Sequence, residues 1–344
     1  MDKVLAGYGL REDQCSIKPF GSGLINHTWV LCSGDEHFIL QKVNQNVFRE
    51  PEAIAWNMGL IDAYLKEQKK AYFFVSPVKT VSGETMLYIE DDGYYRMFPF
   101  VAGSHSIDVV EEPQQAYEAA KQFGMFTKTL SAIDVDALKI TLPSFHDLSL
   151  RYEQFLEALE HGNPTRIGEA VSVIEALKMH SAIVDRFREI RKDPSFKQRV
   201  THHDTKISNV LFDKQNRGLC VIDLDTVMPG YFISDVGDMM RTYLCPVSEE
   251  ERDFSRIIVR EDYYNAIMKG YLEQMQDELT EAEKGHFFYA GLFMIYMQAL
   301  RFLTDHLNDD QYYGAKYEGH NFVRAQNQLT LLEKLMEKRA VLER

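Results

Sequence analysis

Cysteine is scarce. The four in this 344-residue chain, at positions 15, 32, 220 and 245, lie far apart with no C-x-x-C pair, which excludes a disulfide framework and argues against a zinc site. Positive charge is also short: 38 Lys and Arg against 52 Asp and Glu give a formal net charge of −14. That balance excludes the basic face on which sequence-independent nucleic-acid binding depends. An anionic ligand can still bind, provided that a metal ion or a few placed cations offset the repulsion. Long apolar runs are missing as well. The most apolar stretch, Phe287 to Leu300, is interrupted by Gln298 and is expected to be a buried core helix too short to span a bilayer. The first residues, Met1 to Gly7, carry an early acid and no apolar region of secretory length, so a cytoplasmic location is expected. Low-complexity segments and internal repeats are absent.

What is present divides the chain in two. Up to about residue 100 the texture is β-rich. Phe38-Ile39-Leu40 and Met86-Leu87-Tyr88-Ile89 are short β-type runs, and turns fall at Ser82-Gly83-Glu84 and Asp91-Asp92-Gly93. One helix interrupts them, predicted from Pro51 through Ala53, Ile54, Trp56 and Leu60 to about Lys69. From 101 to 344 the spacing becomes helical. Ala119, Phe123, Phe126, Leu130 and Ile133 recur with helix period, as do Ile167, Val171, Ile174, Leu177, Val184 and Phe187. Thr280 with Glu283 forms a capping box ahead of an apolar helix over 286–307, and a last helix is predicted over 320–342. The exception is a predicted hairpin, Asn209–Phe212 with Leu219–Ile222. The expected fold is α+β and bilobal, with a small β-rich N-lobe (1–100) and a larger helical C-lobe (101–344).

The chemistry concentrates in Thr201-His202-His203-Asp204-Thr205-Lys206-Ile207-Ser208-Asn209 and Val221-Ile222-Asp223-Leu224-Asp225. An Asp followed five residues later by Asn, ahead of a hairpin that delivers another Asp, matches the catalytic-loop spacing of protein kinases. One carboxylate, Asp204, would face an attacking hydroxyl. Asn209 and Asp223 would hold Mg²⁺ against the phosphates of ATP through the oxygen ligands this hard cation prefers. Lys206 stands near enough to neutralise charge on a transferring phosphoryl group or simply to be solvated. Asp225 either ligates the metal from the other side or stabilises a turn. His202 is expected to brace the loop. Gly21-Ser22-Gly23 reads as a phosphate-covering turn between the first two strands. The stretch Tyr95–Gly103, where the lobes join, could meet adenine edges through its backbone with Met97 and Phe98 packing nearby, and core packing explains its apolar content equally well.

At these residues the sequence resembles the aminoglycoside phosphotransferase/choline kinase family, whose H-G-D-x-x-x-x-N and I-D-x-D/E motifs are matched by His202, Asp204, Asn209, Ile222, Asp223 and Asp225, with His203 where glycine is usual. The resemblance implies a protein-kinase-like fold and use of ATP with Mg²⁺. A narrower likeness is to the N-acetylhexosamine 1-kinases. It rests on Gly21–Asn26, Gln41–Asn44, Asp223–Gly230, Gly237–Thr242 and Arg301–Asp305. It implies phosphorylation of the anomeric hydroxyl of N-acetylglucosamine or N-acetylgalactosamine, with Arg301 and Tyr312 at the sugar. From the residues alone, Arg301 could equally pair with Asp305 one turn later.

One departure stands on the third strand. Gln41 occupies the position of the usual phosphate-binding lysine, and Lys42 follows it. Strand alternation points the two to opposite faces, so either a bulge turns Lys42 inward or Gln41 meets the phosphates as a neutral donor. Glu52 is the candidate partner for that strand, or a glutamate favoured by the start of its helix. The rival readings are kinase chemistry on another acceptor (choline, homoserine, an aminoglycoside, a different sugar), a nucleotide-binding regulatory protein that has lost transfer activity, and a metal phosphohydrolase with His203-Asp204 as ligand pair.

Overall fold

The computed structural model describes residues 1–21, 25–69 and 71–343. Ser22 and Gly23, two of the expected phosphate-covering residues, lie outside these. A short helix α1 (Asp2–Gly7) precedes strands β1 (Cys15–Pro19), β2 (His27–Ser33) and β3 (Glu36–Lys42). Then come helix α2 (Pro51–Glu67) and strands β4 (Leu87–Ile89) and β5 (Gly93–Pro99), and the sheet runs β1-β2-β3-β5-β4, antiparallel throughout.

Alternation along β3 and β5 sorts the sheet's faces. Their register pairs Leu40 with Met97, Gln41 with Arg96 and Lys42 with Tyr95, with no bulge. Leu40, Tyr95 and Met97 join Val4 and Tyr8 in a small outer core beneath α1. Gln41 and Arg96 therefore occupy the opposite face, toward the cleft.

Helix α2 starts on Pro51, whose missing N–H costs nothing at a first helical position. It buries Ala53, Ile54, Met58, Ile61 and Leu65 along one stripe. Asn57 is buried in that stripe and fully used. Its amide nitrogen donates to the carbonyls of Lys139 (2.8 Å) and Val227 (2.9 Å), and its oxygen accepts from the Lys139 amide at 2.8 Å. Trp56 Nε1 donates to the Ala137 carbonyl at 2.9 Å, so α2 is moored to the other lobe.

The larger lobe contains α3 (Pro113–Thr129), α4 (Leu148–His161), α5 (Pro164–Glu169), α6 (Val171–Met179) and α7 (Ala182–Ile190). Strands β6 (Arg199–Thr201), β7 (Val210–Phe212), β8 (Gly218–Val221) and β9 (Met228–Gly230) follow. The chain finishes with α8 (Phe232–Tyr243), α9 (Glu261–Met275), α10 (Glu281–Lys284), α11 (Phe287–Leu307), α12 (His320–Glu337) and α13 (Arg339–Leu342). The periodic run at 119–133 outlasts its helix, for α3 stops at Thr129 while Leu130 and Ile133 stay buried beyond it. The run at 167–187 is three short helices whose apolar faces share one core. The predicted last helix breaks at Lys338. The Thr280/Glu283 capping box forms, but it starts the single turn α10.

Helix α11 is the centre of the lobe, packed chiefly against α12 and α8. With 21 residues it is long and apolar enough to cross a membrane by length and composition, so the expectation of a span too short fails. It is a core helix because 89% of that apolar window is buried inside the protein. Gly237 of α8 makes the approach possible, since a Cβ there would lie 2.4 Å from the Ala290 carbonyl oxygen.

The predicted hairpin is β7 with β8. A second pairing, β6 with β9, was not foreseen and brings Arg199, Val200 and Thr201 opposite Gly230, Pro229 and Met228. It is anchored by Arg199, whose buried guanidinium grips Glu283 through Nη1 at 2.7 Å and Nη2 at 2.9 Å. These two ribbons set the start and end of the segment that carries the site.

Candidate active site

The loop between β6 and β7 is held from below by α8. Asp235 accepts the backbone amides of His202 (3.0 Å) and His203 (2.7 Å), and Asp238 accepts that of Thr205 at 2.8 Å. Tyr243 donates its hydroxyl to the Thr205 carbonyl. Asp204 therefore projects from a backbone whose flanking amides are all fixed, and none of these three braces was identified in the sequence. His202 is buried, edge-on to Phe123 at 5.1 Å, and its Nε2 bonds the Ile222 carbonyl at 3.0 Å. It joins the loop to the strand end that delivers Asp223, the bracing role expected of it. Burial holds its pKa down, which keeps the ring neutral.

His203 has φ 66, the left-handed conformation that explains why glycine is usual there. Its Nδ1 bonds the Thr201 carbonyl at 3.1 Å, and burial lowers its pKa to about 4. The ring packs against Gly230, where a Cβ would stand 2.5 Å from Nε2. His203 is thus a wedge under the loop and does not pair with Asp204 as a metal ligand. Among the described residues, no group of three or more His, Cys, Asp and Glu is placed to hold a metal.

Lys206 Nζ lies 3.1 Å from Asp204 Oδ2. Burial pulls the ammonium pKa down, but the charge of Asp204, then of Asp238 and Asp223, carries it above the ordinary lysine value. Asn209 donates through Nδ2 to the Asp204 carbonyl at 2.8 Å, leaving its amide oxygen for a metal. Asp223, also left-handed at φ 61, opens onto the cleft, and the protein around its carboxylate, which keeps part of the water away, and then the neighbouring Asp225 hold its pKa up. A carboxylate held in that way is under-compensated for charge. One carboxylate and one amide oxygen, completed by phosphate oxygens and water, suit Mg²⁺, which keeps few protein ligands. The residues present fit that cation.

Asp225 differs from its expected place at the metal. Its side chain is 4% exposed, with Oδ1 paired to Arg96 Nη1 and Oδ2 accepting Asn26 Nδ2 at 2.7 Å. Asn26 in turn accepts the Asn44 amide at 3.0 Å, tying the far end of the glycine turn to the acidic loop. Gly21, at φ 79, supplies the bend at its near end.

The strand-three alternatives separate cleanly. Lys42 turns away from the cleft and pairs with Asp92, so it does not meet phosphates from this face. Gln41 faces inward, accepting Arg96 Nε at 2.9 Å and donating to Thr28 Oγ1 at 3.2 Å. Arg96, one residue of a stretch read for its apolar content, is the cleft's buried cation. Met97 belongs to the outer core and cannot border the adenine, whereas Phe98 shares the face of Arg96, whose guanidinium lies 5.4 Å from its ring centroid. Glu52 accepts from Tyr94 and touches neither Gln41 nor Lys42. Alternation along two short strands decides the outcomes at Gln41, Lys42, Arg96, Met97 and Phe98.

Beyond Asp204, aromatic rings lead to a second recess. His203 and His146 are 5.2 Å apart by centroid, His146 stacks on Phe145 at 4.4 Å, and Arg301 lies 5.7 Å over the Phe145 ring. Arg301, Arg151, Thr304, Tyr312 and Tyr313 line a cavity of about 410 Å³. Arg301 does not pair with Asp305, whose oxygens accept the amides of Tyr312 (2.7 Å) and Tyr313 (2.9 Å). Its hydrogen bonds, to Gln298 and to the Tyr312 hydroxyl, are long at 3.4 Å, and its guanidinium also lies over the Tyr312 and Tyr313 rings at 5.7 and 5.4 Å. Arg151 is near enough that, after burial, the charge of Arg301 further lowers its pKa.

A two-lobed fold with a braced loop carboxylate, a hairpin and a second acid beyond it defines a phosphotransferase of the kinase type. The model of the phosphotransferase enzyme family (APH) matches residues 16–274, and the chain belongs to that family. It is a phosphotransferase. Among solved structures it is similar to the microcompartment-associated aminopropanol kinase (13% identity, TM-score 0.66, covering 99% of this chain and 97% of that one). It is also similar to amicoumacin kinase hAmiN in complex with AMP-PNP, Ca²⁺ and Ami (14%, 0.65, 96% and 92%). Choline kinase LicA from Streptococcus pneumoniae matches at 13% identity with TM-score 0.54, over 92% of this chain and 93% of that one. At these identities the likeness is one of fold.

Proposed function

We propose that this kinase transfers the γ-phosphoryl group of ATP to the anomeric hydroxyl of an N-acetylhexosamine, with Asp204 as the proton acceptor. As the acceptor oxygen bonds phosphorus and the bond from phosphorus to the β–γ bridging oxygen breaks, Asp204 takes the hydroxyl proton and ADP leaves. Lys206, 3.1 Å from Asp204, fixes that carboxylate and faces the charge of the transferring group. Asn209 and Asp223 would hold a magnesium ion, which when bound would supply positive charge to the phosphate oxygens. Positioning and charge stabilisation account for most of the rate when the transition state is loose.

The observation that carries the acceptor class is the lining of the recess. Arg301 and Arg151 share it with two acids, Glu157 and Asp305, so the recess carries balanced charge, and Tyr312 and Tyr313 offer faces and hydroxyls, which suits a neutral polyol better than a polycation. The guanidinium donors of Arg301, poorly engaged at 3.4 Å, suit the hydroxyl and acetamido oxygens of such a sugar. Together with the sequence likeness at Asp223–Gly230 and Arg301–Asp305, this favours the N-acetylhexosamines.

ADP release measured across N-acetylglucosamine, N-acetylgalactosamine, glucose, choline, homoserine and spectinomycin tests the reading. Turnover is expected with the two N-acetylhexosamines, with loss of their reducing end. Turnover of choline or spectinomycin in preference to both sugars would sink the acceptor assignment.

A further inference from the structure

We infer that Arg96, reaching down from β5, is the phosphate-binding cation of this kinase, taking over across the strand pair the task that Gln41 cannot perform from β3. The inference rests on the nucleotide half of the proposed function and is independent of the acceptor. Three observations carry it. First, position: Arg96 is the direct cross-strand partner of Gln41 and presents its side chain on the same, cleft-facing side of the sheet. A six-bond side chain on the neighbouring strand can therefore deliver charge to the region a lysine at 41 would serve.

Second, geometry. The guanidinium is 1% exposed and sits between both acids of the metal loop, paired to Asp225 through Nη1 and 4.0 Å from Asp223 Oδ1 through Nη2. Third, an unfilled donor. Nε bonds Gln41 and Nη1 bonds Asp225, but Nη2 is buried with no hydrogen-bond partner. A buried guanidinium donor without an acceptor is costly, and a phosphate oxygen beside Asp223 would satisfy it. Lys42 offers no substitute because its ammonium is on the other face, paired to Asp92.

Gln41 and Asp225 then act as the two arms of a cradle. Each holds one side of the guanidinium plane, so Arg96 is fixed before the nucleotide arrives and little side-chain freedom is lost on binding. The departure at position 41 becomes part of the device, since a lysine there would repel Arg96.

Equilibrium binding of adenosine, ADP and ATP, with Mg²⁺ and without any acceptor, tests this by calorimetry on the wild type, Arg96→Met, Arg96→Lys, Lys42→Met and the double variant Gln41→Lys/Arg96→Met. Thermal melts establish that each is folded. Arg96→Met is expected to lose roughly 10- to 100-fold in affinity for ADP and ATP with adenosine unchanged. Lys42→Met should match the wild type, and the double variant should regain part of the loss by restoring a cation from the third strand. Arg96→Lys keeps the charge and is expected to retain most of the ADP affinity. Unchanged ADP affinity in a folded Arg96→Met, or in a folded Arg96→Gln where Arg96→Met does not fold, overturns the assignment. So does an equal loss for adenosine and ATP, which would mark Arg96 as a support for Asp225 alone. A wild type that binds no nucleotide overturns the nucleotide reading and this inference with it, whereas failure of every sugar in the acceptor panel leaves the inference standing.

Discussion

His203 and Asp223 both hold a left-handed backbone, at φ 66 and 61, one on each side of the cleft floor. For residues with a Cβ that conformation costs about 1–2 kcal/mol apiece, and it turns Asp204 and Asp223 toward the same space. The amides that hold the strain in place are those accepted by Asp235 and Asp238. Replacing Asp204 by Asn keeps the shape and removes the proton acceptor. We expect kcat to fall by roughly 10²–10⁴ while Mg-ATP affinity, measured by titration, changes little. Near-normal turnover would take Asp204 out of the role. Its place was legible in the sequence because Asp204, Asn209 and Asp223 are spaced along one short stretch of chain. Arg96 and Asn26 were not, because each meets Asp225 across 129 and 199 residues, distances at which only the folded chain defines neighbours.

Among the elements, α8 is one that the sequence concealed. Its residues Gly237–Thr242 enter the sequence reading only through a family likeness, yet this helix, buried on nearly every side, delivers Asp235, Asp238 and Tyr243 to one loop. Its depth is set by Gly237 against α11. Gly237→Ala gains about 1 kcal/mol of helix propensity but places a methyl 2.4 Å from a backbone oxygen that cannot step aside. The clash should dominate, with a net destabilisation of about 1–3 kcal/mol in urea unfolding. A loss of kcat without a matching change in nucleotide affinity should accompany it as the loop rides up with α8. A stabilised, fully active variant would refute the tight-approach account. Helices α2, α3, α11 and α12 and the β7–β8 hairpin were foreseen from sequence pattern and turn residues, whereas α4, α8, α9 and the β6–β9 ribbon were not. Three-residue strands carry too little pattern to be seen, and this one is set by the Arg199–Glu283 clamp.

At the scale of the molecule, acid should weaken the fold through its buried histidines. Burial holds His203 near 4 and lowers His202 and His146 as well, His146 also feeling the neighbouring His203 and Arg301. The unfolded chain takes up these protons near 6.5 and the folded one refuses them. The stability each contributes is therefore complete above that value and is lost as pH falls toward the folded pKa. For His203 the full difference is on the order of 3 kcal/mol. Buried Asp235 and cleft-facing Asp223, whose pKa values desolvation raises to about 7, act the opposite way over the same range, so the histidine share is read as a difference. Between about pH 7.5 and 5.5 the urea unfolding free energy of the wild type should fall relative to that of His203→Asn, which tolerates the positive φ, by on the order of 1 kcal/mol. A difference that stays constant over this range would contradict the assignment.

The mooring of α2 sets how such a body can move. Asn57 and Trp56 fasten this helix to carbonyls at 137, 139 and 227, all in the larger lobe, while toward the small lobe it bonds Tyr94 through Glu52, Thr85 through the Ala55 carbonyl and Ser76 through Asp62. In a motion of one lobe against the other, α2 would travel with the base and the sheet would be the moving jaw. Distances from α2 to the helices below it would then stay constant through a catalytic cycle, and whatever opening admits the nucleotide is taken up as shear between α2 and the strands.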